Sequence, residues 1–238
     1  MAVGSMLRTT IAVAIVVGIA GTTAAGQTRS TGARRGTAGG GAARGTANPN
    51  KAKLRTPSAL TEKAPDSYKV KLDTSKGPVV IEVHRDWSPL GADRFYNLVS
   101  NGFFDGVRFF RVIPNFMAQF GINGNPAVNA AWDKVDLKDD PGGKQSNTRG
   151  TVSYGNTGQP NSRGTQVFIN YKDNSFLDAQ RFTPFGMVVE GMDAADKLNA
   201  EYGSNPQNQQ GQIVKEGNKF LIANYPKLDY VKTATVVK

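Results

Sequence analysis

The chain has no cysteine and one histidine, His84, in 238 residues. The first absence removes thiol nucleophiles, disulfides and cysteine-ligated zinc; the second leaves no spare imidazole for a serine triad. A chain without cysteine suits any redox compartment, so this does not place the protein. Acidic residues are also missing from a whole region: up to Thr61 there are eight Lys/Arg and no Asp or Glu. The net charge of +10 therefore belongs to the front of the chain, and the remainder, 21 basic against 19 acidic residues, is close to neutral. No specific nucleic-acid surface is expected on the folded part.

Long apolar runs are scarce too. One, IAVAIVVGIA (11–20), follows Arg8 and precedes the small residues of GTTAAGQ, the pattern of an export signal cut after Ala25. An uncleaved anchor is the alternative, since no charge falls between Arg8 and Arg29, but glycines and threonines make a poor span below the usual ~20 apolar residues. From 27 to about 60 large apolar side chains almost vanish, so the segment cannot offset its ordering entropy. The expected organisation is a signal peptide (1–26), a disordered basic linker (27–61) and one domain (62–238), exported to the periplasm or beyond. The linker's arginines suit weak contact with an anionic surface; a solvated tether is the plainer reading.

What is present is alternation. YKVKLDTS (68–75) puts Tyr68, Val70 and Leu72 on one side, Gly77-Pro78 is read as the turn, and VVIEVH (79–84) repeats the pattern with Val79, Ile81 and Val83. Further strands are expected at 107–113, 116–121, 150–155, 166–171, 185–191 and 230–237. Eight strands separated by Gly, Pro and Asn imply a mainly β fold, a closed antiparallel barrel without free edges. Two capping α-helices are expected. One starts at Ser88-Pro89 as N-cap and N1, with Ala92, Phe95, Leu98 and Val99 inward; the other, GMDAADKLNAEYG, runs to Gly203. A shorter helix is read within NKFLIANY (218–225). Asp139-Asp140, beside Pro141-Gly142-Gly143, reads as a solvated turn, and His84 as a half-exposed strand residue without a role.

FFRVIPNFMAQFG (109–121) sets one guanidinium, Arg111, among large apolar side chains. Arginine cannot shed its charge to escape burial, so either a carboxylate meets it or its head faces a cleft. This run, together with GTVSYGNTGQPNSRGTQVFINYKDNSFLDAQRFTPFG (150–186), resembles the two active-site blocks of the cyclophilin-type peptidyl-prolyl cis-trans isomerases, and the likeness extends over residues 66–238. The resemblance implies an eight-stranded barrel capped by two helices. It also implies an activity that needs no cofactor or metal, turning Xaa-Pro bonds in flexible polypeptide chains, with a monomer as the expected unit.

By the same resemblance Arg111 is the catalytic residue, and Phe116, Met117, Phe168 and Leu177 form the proline pocket. Gln119 and Gln166 hold the substrate backbone and position the arginine, and Gly155, Asn156 and Thr157 form the edge that pairs with an extended peptide. Two aromatic residues depart from the pattern at the substrate-binding positions. Phe110 stands where many members have histidine, and Phe176 where the best-known eukaryotic members have tryptophan. Either Arg181 or Phe182 falls where another histidine is expected, and Gln159 reads as a one-residue insertion. Two other classes of function stay open at this point: a proline-peptide-binding module or holdase with little turnover, and a polyanion-binding protein working through the basic arm.

Overall fold

The structure is a computed structural model and describes residues 49–237. The expected signal peptide and most of the expected linker lie outside these residues. Two strands begin the sheet, β1 (Ser67–Thr74) and β2 (Gly77–His84), followed by helix α1 (Pro89–Ser100), then β3 (Arg111–Ile113) and β4 (Met117–Phe120). Helix α2 (Pro126–Trp132) precedes β5 (Thr151–Tyr154), β6 (Val167–Asn170) and β7 (Pro184–Glu190). Helices α3 (Met192–Asp196), α4 (Gln210–Glu216) and α5 (Asn218–Asn224) lead to β8 (Val231–Val237).

Every strand pairing is antiparallel, in the order β3-β4-β6-β5-β7-β2-β1-β8. The eight expected strands are all there, but the sheet is a curled, open half-barrel rather than a closed barrel. Its ends, β3 and β8, form no ladder with each other; the residues before β3 meet the start of β8 and those just ahead of it, through an Arg108–Tyr230 bridge and the bonds from Val231 N–H to Val107 C=O at 2.9 Å and from Gly106 N–H to Val231 C=O at 2.7 Å. Past that point Phe110 packs with Ile122, Ile213, Leu221, Tyr225 and Leu228, a cluster that holds no β8 residue.

Alternation set the faces correctly. Tyr68, Val70 and Leu72 from β1 and Val79, Ile81 and Val83 from β2 are all buried in the main core, where the inward stripe of α1 (Ala92, Phe95, Leu98, Val99) covers them. The hairpin turn is Ser75-Lys76, with Thr74 opposite Gly77, so Gly77-Pro78 opens β2 instead of turning the chain. The second capping helix is one turn long. The helix ends because the Asn199 N–H donates to Asp229 Oδ2 at 2.6 Å and the Asn199 side chain accepts from Glu201 N–H at 2.8 Å, a local alternative to helical bonding.

Two segments read as solvent-exposed are built into the structure. Residues 49–61 belong to the expected linker, yet a short 3-10 helix (Pro49–Arg55) buries Leu54, whose carbonyl accepts the Trp132 indole N–H at 2.9 Å. Beyond it, Glu62 exchanges two hydrogen bonds with Asn97 at 3.1 and 2.7 Å, so the packed chain begins before residue 62. One leucine and a few paired main-chain groups suffice where composition alone predicts none.

Asp140 is the other correction. Its carboxylate is buried, accepting from Ser88 Oγ–H, from Leu90 N–H at 3.0 Å, from Gly91 N–H at 2.9 Å and from Arg163 Nη1 at 3.0 Å. Ser88 precedes α1 but its side chain does not cap it; the carboxylate 49 residues from Gly91 satisfies the first N–H groups instead. Arg163, only 1% exposed, also donates Nη2 to Lys138 C=O, which pins the 137–163 segment to the body.

Candidate active site

Three short strands build the site by the period of two. Val112, Ala118, Ile169 and Val152 stand in register across β3, β4, β6 and β5 and all enter the main core. The alternate residues must then emerge on the other face, where Arg111 lies opposite Gln119 and Gln119 opposite Phe168, with Ile113 opposite Met117. Gly121 ends β4 with φ +112°, and a Cβ there would sit 2.4 Å from the Thr165 carbonyl, so only glycine lets residues 165–166 come close. That approach brings Gln166 within reach of Gln119.

On this outer face Met117, Phe168, Leu177 and Phe182 form a small cluster of their own, with Phe116 half-buried beside them. Together with Arg111 and Gln119 they line an apolar pocket of about 300 Å³, its open mouth included. Phe182 stands edge-on to Phe168 at 5.6 Å. Phe176 does not line the pocket; it is 51% exposed and stacks on Phe116 at 6.2 Å, at the rim.

Arg111 is 7% exposed and its guanidinium lies 5.8 Å from the centre of the Phe116 ring. Among the described residues no carboxylate pairs with it, and burial pushes its pKa below the usual arginine range. Its Nη1 donates to Gln119 Oε1 at 3.3 Å and its Nε to Ser204 Oγ at 3.1 Å. Gln119 in turn donates from Nε2 to Gln166 Oε1 at 3.0 Å. The sequence left two answers for this residue, a hidden carboxylate or a cleft, and the geometry is that of the cleft. Arg163, fully buried, is an arginine that takes the other answer, pairing with the Asp140 carboxylate.

A second, more polar cleft shares Gln119 with the pocket and is walled by Gln166, Gly155, Asn156 and Thr157, with Trp132 and Lys134 across from them. The Gly155 N–H is taken by Gln166 C=O at 2.9 Å and the Thr157 N–H by Ser162 Oγ at 3.0 Å. Asn156 uses its side chain to accept from Gly158 N–H at 2.8 Å and to donate to Gln180 C=O at 3.1 Å, while its main-chain N–H and C=O have no partner among the described residues. Of the three expected edge residues Asn156 alone has both main-chain groups free; Gly155 and Thr157 keep only their carbonyls.

Phe110 is absent from the site. It precedes Arg111 by one residue, so it points the other way, 1% exposed in the cluster with Ile213 and Tyr225. Between the two candidates for a missing histidine, Phe182 enters the pocket, whereas Arg181 is exposed, at φ +64°, and donates to Gly158 C=O at 2.7 Å. Ser204 was not anticipated, and no local pattern marks a serine 93 residues from its partner. His84, at the end of β2, stacks on Trp87 at 4.2 Å, and β2 pairs with β1 and β7, not with the site strands.

Among the described residues no group of three or more His, Cys, Asp or Glu side chains is placed to hold a metal, and no helix is long and apolar enough to cross a membrane. No nucleophile or acid–base group lines the pocket. The arrangement can hold an apolar ring and direct oriented, charged N–H donors at electron density developing next to it.

Comparison with known proteins follows the same lines. The model of the family described as "Cyclophilin type peptidyl-prolyl cis-trans isomerase/CLD" matches residues 69–218. A peptidyl-prolyl cis-trans isomerase of Acinetobacter baylyi is 38% identical over 157 residues, covering 61% of this chain and 81% of the relative. Peptidyl-prolyl cis-trans isomerase B of Escherichia coli is 33% identical over 136 residues, 54% of this chain and 82% of the relative. Among solved structures, a cyclophilin-type isomerase of Cryptosporidium parvum aligns with TM-score 0.55 at 17% identity, over 72% of this chain and 98% of that one. That protein has also been solved in the presence of the dipeptide Ala-Pro, where the TM-score is 0.52 at 17% identity over 71% of this chain and 99% of that one.

Proposed function

The chain belongs to the cyclophilin-type family of peptidyl-prolyl cis-trans isomerases and is itself such an isomerase, and from that premise we propose that Arg111 is its catalytic residue and the adjoining pocket the seat of the proline ring. Rotation about a peptide bond is slow because resonance gives the C–N bond partial double character, a barrier of about 18–20 kcal/mol. As the bond twists, the lone pair returns to the proline nitrogen. A guanidinium held beside that nitrogen bonds the twisted state more strongly than either planar isomer, which is the differential binding that lowers the barrier.

The observation that carries this reading is Arg111 itself, buried against an apolar pocket with no carboxylate to neutralise it. A core ion pair would need an acid that the site lacks. Phe116, Met117, Phe168, Leu177 and Phe182 would hold the ring, and the row Arg111–Gln119–Gln166 would fix the donor. The free main chain of Asn156 would pair with an extended peptide, and Phe176 would cover it from the rim.

The substrates are proline-containing segments of flexible or unfolded chains, a reading supported by the Ala-Pro dipeptide used with the Cryptosporidium parvum protein. No cofactor enters the mechanism. A monomer is the proposed working unit. The proposed place of work is outside the cytoplasm, with residues 1–26 as an export signal and a basic arm after it that touches anionic surfaces weakly; the sequence pattern alone supports this part.

The test is the cis-to-trans rate of a blocked proline tetrapeptide. Wild type accelerates it, and Arg111→Ala loses roughly 100- to 1000-fold in kcat/KM while staying folded, on the scale of about 2.7–4 kcal/mol for one lost transition-state donor. A wild type that binds the peptide without accelerating its rotation would overturn the reading in favour of a binding module.

A further inference from the structure

We propose that Ser204 is a positioning residue for Arg111: its hydroxyl, supplied by the turn between α3 and α4, sets the plane of the guanidinium so that Nη2 is directed at the substrate. The inference rests on Arg111 being the catalytic group and adds the element that aims it.

A guanidinium carries its five N–H donors in one rigid plane, so two contacts fix where the others point. Here the two are Nε to Ser204 Oγ at 3.1 Å and Nη1 to Gln119 Oε1 at 3.3 Å. Nη2 has no partner among the described residues, yet it is not among the buried polar atoms sealed without one. It is therefore an unspent donor, not sealed in the interior, on a residue that lines the pocket. The bond to Gln119 is the longer of the two and would by itself leave the plane free to swing about Nη1.

Ser204 can serve as a fixed point because its turn is braced. Gly203 N–H bonds Ala200 C=O at 3.0 Å, Asn205 N–H bonds Tyr202 C=O at 2.9 Å, and Asn208 N–H bonds Ser204 C=O at 3.3 Å. Tyr202 stands edge-on to Tyr225 at 5.2 Å, and its hydroxyl accepts from Lys227 N–H at 3.4 Å. Pro206 is buried just beyond. Tyr202 of the same turn packs against the Phe110 cluster, so the turn touches one face of β3 through Tyr202 and holds the arginine of the other through Ser204. A neutral acceptor is the right chemistry: a carboxylate at this position would pair with the guanidinium and spend its charge before substrate arrived.

The experiment compares Ser204→Ala and Ser204→Thr with wild type in full-length protein, measuring kcat and KM on the blocked proline tetrapeptide and the water-exchange rate of the Arg111 Nε–H by NMR. The alanine variant is expected to lose roughly three- to tenfold in kcat, the range of one hydrogen bond, with KM within about twofold and faster Nε–H exchange. Threonine, which keeps an acceptor, restores both. Unchanged kcat in Ser204→Ala overturns the proposal, and so does a loss of activity while the Nε–H stays protected. Failure of the underlying reading looks different: full activity in Arg111→Ala would remove the arginine from catalysis whatever Ser204 does.

Discussion

Replacing Asp140 by alanine should be among the most damaging single changes outside the site. Its side chain and that of Arg163 are each 1% exposed, and the carboxylate accepts four bonds: Arg163 Nη1 at 3.0 Å, two N–H groups of the first turn of α1 at 3.0 and 2.9 Å, and the Ser88 hydroxyl. Removing it takes the close carboxylate from a buried guanidinium, which keeps the Lys138 carbonyl, a long contact to Ser88 Oγ at 3.4 Å and Asp139 at 3.9 Å, and leaves two helix-end donors without partners. Breaking a buried pair from one side costs about 3–5 kcal/mol. The unpaired N–H groups act in the same direction, although their cost overlaps with the first and is not simply added. For a domain of this size each kcal/mol moves Tm by about 2–4 °C, so a fall of roughly 6–20 °C is expected in a reversible melt. Asp140→Ala combined with Arg163→Met should be less destabilised than Asp140→Ala alone, because no charge is then buried unpaired. If Asp140→Ala melts within about 1 kcal/mol of wild type, the buried network does not carry the stability assigned to it.

Trp132→Phe deletes the indole N–H that meets the Leu54 carbonyl at 2.9 Å and should cost about 1 kcal/mol. It should also make residues 49–61 a site of limited proteolysis; unchanged resistance would mean that segment is held by other contacts. Catalytic efficiency should be flat between about pH 6 and 9, since His84 is remote and the pocket holds no group that titrates there. Burial lowers the Arg111 pKa, so any loss comes at the alkaline extreme, and a neutral inflection that vanishes in His84→Gln would contradict the electrostatic mechanism. Stability should hold below pH ~10 and fall above it. Burial raises the phenols of Tyr68, Tyr154 and Tyr171, so the unfolded chain ionises first and gains from rising pH. Equal denaturation midpoints at about pH 9 and 11 would refute this.

Local pattern carried the strands, because alternation with a buried face permits one register and a one-residue slip would turn every side chain over. The same rule, applied strictly, would have sent Phe110 away from the site; placing it there by the resemblance, where many members have histidine, overrode the pleat. Arg111 stood out because a charge inside an apolar run must be accounted for. The sequence by itself thus determined the eight strands, the apolar wall and the isolated cation. Only the tertiary structure decided what that cation meets. Ser204, Asp140 and Leu54 find their partners 93, 23 and 78 residues away, across separations at which no spacing rule connects one side chain to another. The open sheet has the same origin: closure depends on how the two end strands, β3 and β8, are brought together by the rest of the fold, and neither strand's sequence contains that information.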